Sequence, residues 1–183
     1  MKTKYIVLAV LAFLLLWVWT GYNGLISSKA AVEASWAQVE TQYQRRFDLV
    51  PNLVSTVKGA AKFEQDTFTA ITAARSQWQS AGSRDDKITA ASGFDSALSR
   101  LLVTVEAYPQ LQATQAFRDL MTQLEGTENR IAVARRDYND AVQGYNVLVA
   151  RFPRNILARL FGFGSEKLFS SDAGADKAPA VNF

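Results

Sequence analysis

The chain has no histidine and no cysteine among its 183 residues. Without histidine it lacks the side chain that titrates near neutral pH, works most often as general base and is the commonest metal ligand. Without cysteine it has no thiolate nucleophile and no disulfide, a state compatible with either an oxidising or a reducing compartment. Di-metal carboxylate bundles of the Glu-x-x-His type are impossible here. No Gly-x-Ser-x-Gly elbow and no phosphate-binding glycine loop occurs. Any nucleophile would have to be Ser, Thr or Lys, and a carboxylate-only metal site around Glu64 and Glu128 is conceivable. The expectation is therefore a non-enzyme with no catalytic residue, no cofactor and no metal.

Proline and glycine are also scarce, at four and ten, and no β-type alternation appears. Acidic and basic residues are in balance over most of the chain. Lys2, Lys4 and Lys29 lie within the first 30 residues, where there is no acid, and the other 17 basic residues match 17 acidic ones. The calculated pI near 9.2 thus comes from the N-terminal end. It is no nucleic-acid footprint, which requires a basic stripe with base-contacting or stacking groups.

What the chain does have is one long apolar run, Tyr5 to Trp19, behind Lys2 and Lys4. With Thr20, Gly21 and Tyr22 it reaches 18 residues, about 27 Å as a helix, enough to cross a bilayer core. A cleaved signal peptide shares the basic start. Cleavage, however, needs small residues just after the apolar core, where this chain has Trp17, Val18, Trp19, Thr20, Gly21 and Tyr22. The reading is an uncleaved anchor, with Trp17, Trp19 and Tyr22 at the membrane boundary. Residues 5–22 would contact the bilayer. Lys2, Lys4 and the amino terminus against Lys29 place the N-terminus in the cytoplasm and the domain outside, with the opposite orientation still open because the bias is small.

From residue 24 to 152 the apolar pattern is helical. Breaks are expected at Pro51, at Ser80-Ala81-Gly82-Ser83 and at Pro109, with Asp85 or Asp86 as the cap of the following helix. Four helices follow, near 24–48, 51–80, 86–107 and 110–151. In the last, Phe117, Leu124, Ile131, Tyr138, Tyr145 and Phe152 recur every seven residues, with Leu120, Thr127, Ala134, Ala141 and Leu148 three positions on. This is the seam of left-handed helix packing. Similar ladders run through Leu25, Val32, Val39 and Arg46, and through Val50, Val57, Glu64, Ile71 and Trp78. Because the heptad passes through Pro51, a single kinked rod is an alternative to two helices there. The fold class is all-α: an N-terminal transmembrane helix, then an antiparallel four-helix bundle with long heptad-patterned helices. The divisions are an anchor over 1–22, a helical domain over 23–152, a short amphipathic segment over 153–169 and a flexible tail over 170–183.

Charges interrupt the seams. Arg46, Glu64, Glu128 and Arg135 form a candidate internal polar layer, because a buried unpaired charge costs several kcal/mol. The natural pairings are Arg46 with Glu64, and Glu128 with Arg135 or a neighbouring helix; the alternative is that a drifting seam leaves them in water. After Pro153, Ile156, Leu157, Arg159, Leu160 and Phe161 are candidate membrane contacts, since residues 151–163 carry three arginines and no acid. A cap on the end of the helical domain is the competing reading.

The string Arg45-Arg46-Phe47-Asp48-Leu49-Val50-Pro51-Asn52-Leu53-Val54, followed by Val57-Lys58-Gly59 and Glu64, resembles the signature of the LemA family. Further strings agree: Glu106-Ala107-Tyr108-Pro109, Leu124-Glu125-Gly126-Thr127-Glu128-Asn129-Arg130-Ile131, Arg135-Arg136-Asp137-Tyr138-Asn139-Asp140-Ala141-Val142 and Phe152-Pro153. The resemblance implies a small bacterial membrane protein with one N-terminal transmembrane helix and an antiparallel four-helix domain, in the cytoplasmic membrane. It brings no catalytic residues. The strings mark Asn52, Lys58, Glu106, Tyr108 and Pro109 as a candidate partner surface at the turns farthest from the membrane, or as turn and capping residues. The expected function is a non-enzymatic scaffold or adaptor of the envelope, assembling with itself or with a membrane protein. A membrane-shaping or lipid-binding protein is the alternative.

Overall fold

A computed structural model describes residues 2–60 and 65–169. Among them six helices and no strand are found: α1 (Lys2–Ala60), α2 (Gln65–Ser80), α3 (Arg84–Glu106), α4 (Pro109–Gln112), α5 (Gln115–Ala150) and α6 (Arg154–Leu160). The all-α expectation holds, but two boundaries move.

Pro51 does not end a helix. α1 carries it in its interior, and the apolar N-terminal stretch and the first domain helix are one element. A proline inside a helix loses one backbone hydrogen bond and crowds the preceding turn, at a cost of about 3 kcal/mol. Buried Phe47, Val50, Leu53 and Val57 lie on both sides of it along one face. Each large apolar side chain buried contributes about 1.5–3 kcal/mol, so packing outweighs the local penalty. The expected pair of helices at 24–48 and 51–80 is therefore corrected to one helix reaching Ala60 and a separate α2.

The second change concerns caps. Ser83, not Asp85 or Asp86, is the N-cap of α3. Its backbone is extended at φ −125 and ψ 160; its hydroxyl accepts from the Asp86 N–H at 3.1 Å and donates to the Asp86 carboxylate at 2.7 Å. The hydroxyl thus satisfies one free N–H of the first turn, and Asp85 and Asp86 take that turn, where the helix dipole favours them. Pro109 opens the one-turn α4 at a position where its missing N–H costs nothing, and α5 starts only at Gln115.

The chain forms two compact units. One contains residues up to Glu40 together with Val133–Leu168. Its core joins Leu25, Val32, Trp36 and Val39 of α1 to Ala134, Tyr138, Val142 and Tyr145 of α5, with Leu157 and Ala158 of α6. The other contains Thr41–Ala132. There α1, α2, α3 and α5 all supply buried residues, among them Phe47, Trp78, Phe94 and Leu124. Of the heptad ladders, Leu25, Val32, Val39, Val50, Val57, Ile71, Trp78, Phe117, Leu124, Ile131, Tyr138 and Tyr145 are buried, Leu120, Ala141 and Leu148 are half-buried, and Glu64 lies outside the described residues. Phe152 is 75% exposed, because α5 ends at Ala150 before the ladder reaches it.

One described helix is long and apolar enough to cross a membrane, and its apolar window is almost entirely unburied. Tyr5, Ile6, Leu8, Phe13, Leu15 and Trp19 are all exposed. Apolar surface of this extent is not left to water in a stable protein.

Candidate functional site

In the unit of residues 41–132, Arg46 is the charge that the seam buries. It is 5% exposed, and its guanidinium forks. Nη1 donates to the Asp95 carboxylate at 2.6 Å, and Nη2 lies 2.7 Å from a Glu128 carboxylate oxygen. The same guanidinium lies 5.4 Å from the centre of the Phe94 ring. α1, α3 and α5 are thereby tied at one level. The Asp95 side chain is 17% exposed and that of Glu128 48%, so the Asp95 arm is the one held in low dielectric and the Glu128 arm is partly screened. Below this layer the aromatic rings pack closely: Tyr43 stacks on Trp78 at 4.4 Å, and Phe47 meets Phe94 edge-on at 4.7 Å.

Of the four residues singled out in the sequence, the structure brings Arg46 and Glu128 together and adds Asp95, which the sequence reading did not name. Glu64, the proposed mate of Arg46, lies outside the described residues. Glu128 turns to Arg46, and Arg135 is half-buried on α5. Asp95 could have been found, because it follows buried Ala91 by four positions and precedes buried Leu98 by three, which puts a carboxylate on the apolar face of α3.

The residues marked as a partner surface are distributed over three helices and a turn. Asn52 and Lys58 are exposed on α1, past a proline that makes no turn. Lys58 Nζ lies 4.7 Å from the Phe68 ring centre. Glu106 is exposed at the end of α3, and Tyr108 and Pro109 form the start of α4. The sequence also contains one Ser-x-x-Lys spacing, Ser55 to Lys58. It has no nucleophilic geometry, because the Ser55 hydroxyl donates to the Pro51 carbonyl at 2.8 Å and the lysine sits over Phe68.

The other unit is organised around the C-terminal segment. α6 lays Leu157 and Ala158 against Leu25, with Trp17, Val18, Leu148, Val149 and Phe163 around them. Gly21 makes this possible: a Cβ there would lie 2.5 Å from Leu157 Cδ1. Tyr22 forms T-shaped contacts with Phe161 and Phe163, ring centres 4.9 and 5.8 Å apart. Leu157 therefore packs inside the protein, which corrects its assignment as a membrane contact. Ile156, Leu160 and Phe161 are exposed beside it, and Arg159 is exposed as well.

Beyond α6 the backbone returns along α5. Asn146 holds it by two bonds, Nδ2 to the Glu166 carbonyl and the Glu166 N–H to Oδ1, both 2.8 Å. The Tyr138 hydroxyl donates to the Lys167 carbonyl at 2.9 Å. Tyr145 is fully buried, and its hydroxyl has no hydrogen-bond partner among the described residues. Burial, and secondarily the charge of Glu166, push its pKa above the ordinary 10.0. Among the described residues no group of three or more carboxylates is arranged to hold a metal.

Comparison with known proteins gives the chain a context. The LemA family model matches residues 35–183. Magnetosome protein MamQ 1 and Magnetosome protein MamQ 2 of Paramagnetospirillum magneticum are each 29% identical over 181 residues, covering 85% of this chain and 66% of theirs. Protein LemA of Metamycoplasma hominis is 21% identical over 150 residues, 81% of this chain and 68% of that protein. The aligned part thus spans about two thirds of the length of the magnetosome relatives.

Proposed function

Because the chain belongs to the LemA family, we propose that it is a non-enzymatic, membrane-anchored helical scaffold of the bacterial envelope that assembles with itself or with a membrane-protein partner. The observation that carries this reading is the unburied apolar stretch at the start of α1, continuous with a helix that enters the domain core. A bilayer is the solvent that this stretch requires. Lys2 and Lys4 against Lys29 favour a cytoplasmic N-terminus in the cytoplasmic membrane, with the helical domain on the other side.

The charged groups of the interior have structural work. Arg46 is occupied by Asp95 and Glu128, which supports a role for the layer in fixing how the helices match rather than in chemistry. Asn52, Lys58, Glu106, Tyr108 and Pro109 remain the proposed partner surface, and Glu128 and Arg135 belong with Arg46 to the polar layer. The magnetosome relatives fit a protein that works at a membrane-associated assembly. The test is the native mass of the full-length protein, extracted gently from its own membrane, with co-purifying chains identified. A discrete homo-oligomer or a stoichiometric second protein is the expected result. A lone monomer across several mild detergents would remove the scaffold reading.

A further inference from the structure

We propose that α6 and its flanks form a second membrane contact, seated in the headgroup layer of the bilayer that α1 enters and recognising anionic lipid. The proposal rests on the anchor reading above and goes beyond it, because an anchored protein does not need its C-terminal segment at the membrane surface.

The position of α6 comes first. Leu157 sits against Gly21 and Leu25, and Trp17 and Val18 pack on the same cluster. Trp17, Val18 and Gly21 belong to the last turns of the apolar stretch, and Leu25 lies one turn beyond them. Tyr22 at the end of the stretch is covered by Phe161 and Phe163. A helix held at that point lies at the depth where the hydrocarbon gives way to headgroups.

The outward face of α6 has the composition which that depth favours. Ile156 is 53%, Leu160 73% and Phe161 46% exposed, although α6 has only seven residues and already buries Leu157 and Ala158. Arg151 and Arg159 are exposed and Arg154 is half-buried. Among the described residues none of the three arginines pairs with a carboxylate. Apolar side chains beside unpaired cations, on a short helix at a membrane boundary, match an interfacial segment whose arginines reach lipid phosphates. A protein partner would also bury the apolar face, but the excess of positive charge and the place beside the span favour an anionic lipid surface.

The absence of native cysteine makes the test direct. Full-length Leu160→Cys, carrying a polarity-sensitive fluorophore, is reconstituted in nanodiscs containing lipid-borne quencher, with Leu15→Cys reporting the span and Val133→Cys reporting solvent. Leu15 and Leu160 should be quenched and blue-shifted, and Val133 should not. Quenching at Leu160 should be stronger in phosphatidylglycerol than in phosphatidylcholine discs. Replacing Arg151, Arg154 and Arg159 by Gln should abolish that preference, each arginine accounting for on the order of fivefold in favour of the anionic surface.

Quenching at Leu15 without quenching at Leu160 overturns the second contact and leaves the anchor standing. Loss of quenching at both positions overturns the anchor itself. Equal quenching in the two lipids overturns the assignment to anionic lipid. A Leu160 label that escapes lipid quencher but crosslinks to a protein in native membranes shows the occupant to be protein, and the proposal falls.

Discussion

In the unit of residues 41–132 the core closes around a charge, whereas in the unit that contains α6 it closes around the side chain that Gly21 lacks. Arg46 ties three helices by two ion pairs, Asp95 at 2.6 Å and Glu128 at 2.7 Å. Gly21 admits Leu157 so closely that one added carbon would lie 2.5 Å from it. The first device selects helix pairing by charge, because a misaligned helix would leave a guanidinium buried without a partner. The second selects it by shape and is indifferent to charge.

The comparison is most easily broken at Arg46. Arg46→Leu removes the cation shared by Asp95 and Glu128 from a buried position and should cost about 3–5 kcal/mol. Asp95→Asn should cost less, since Glu128 still holds the guanidinium, and half-exposed Glu128→Gln least, about 1 kcal/mol or below. Denaturant unfolding in detergent, followed by the fluorescence of Trp78 in a background where Trp17, Trp19 and Trp36 are replaced by Phe, measures the series. A flat series would show that the layer contributes nothing to this core.

Gly21→Leu attacks the other device. Overpacking a fitted contact costs about 1–3 kcal/mol, and here the strain can be relieved by releasing α6. The expected outcome is faster amide exchange over residues 154–168, with protection in α3 unchanged. Equal loss in both units would mean that they do not differ as described.

Asn146→Ala should have a smaller effect, about 1–2 kcal/mol, because it removes two bonds to the Glu166 backbone. The Glu166 amide should lose its exchange protection first. If it keeps that protection, the clamp does not hold the segment.

The smallest effect is expected at Tyr145. Its hydroxyl is buried and unpartnered among the described residues, so Tyr145→Phe should be neutral or stabilising by about 1 kcal/mol near pH 7. The folded pKa is raised above 10.0, so the folded state keeps the proton longer than the unfolded one, and stability is full below pH 10 and falls as pH rises beyond it. Tyr145→Phe should flatten that alkaline loss in a pH series of melts.

The parts of this structure that could be read from the sequence are those written as repeats of apolar side chains. Leu25, Val32 and Val39, and Phe117 through Tyr145, are buried where the heptad puts them, because packing of one helix face is a property of spacing alone. At Pro51 the sequence carries two opposed signals, a local penalty and a heptad that passes through it, and the buried residues on either side decide for one continuous helix. Asp95 was in view but was not read against Ala91 and Leu98. The Ser55 and Lys58 spacing passed unnoticed, and only its backbone and ring contacts show that it is idle. The hold of Asn146 on Glu166 had no sequence signal, because its partner is backbone 20 residues away. Likewise, the burial of Leu157 against Gly21 joins residues 136 positions apart, which no periodicity within α6 reveals.

The central claim is that residues 5–22 stay on the chain and hold it in a bilayer. The most direct measurement is peptide mapping of the protein that remains in native membranes after an alkaline carbonate wash. The account predicts that the chain stays in the membrane pellet with residues 5–22 still attached. Recovery of a form in the wash that begins beyond residue 22 would contradict it.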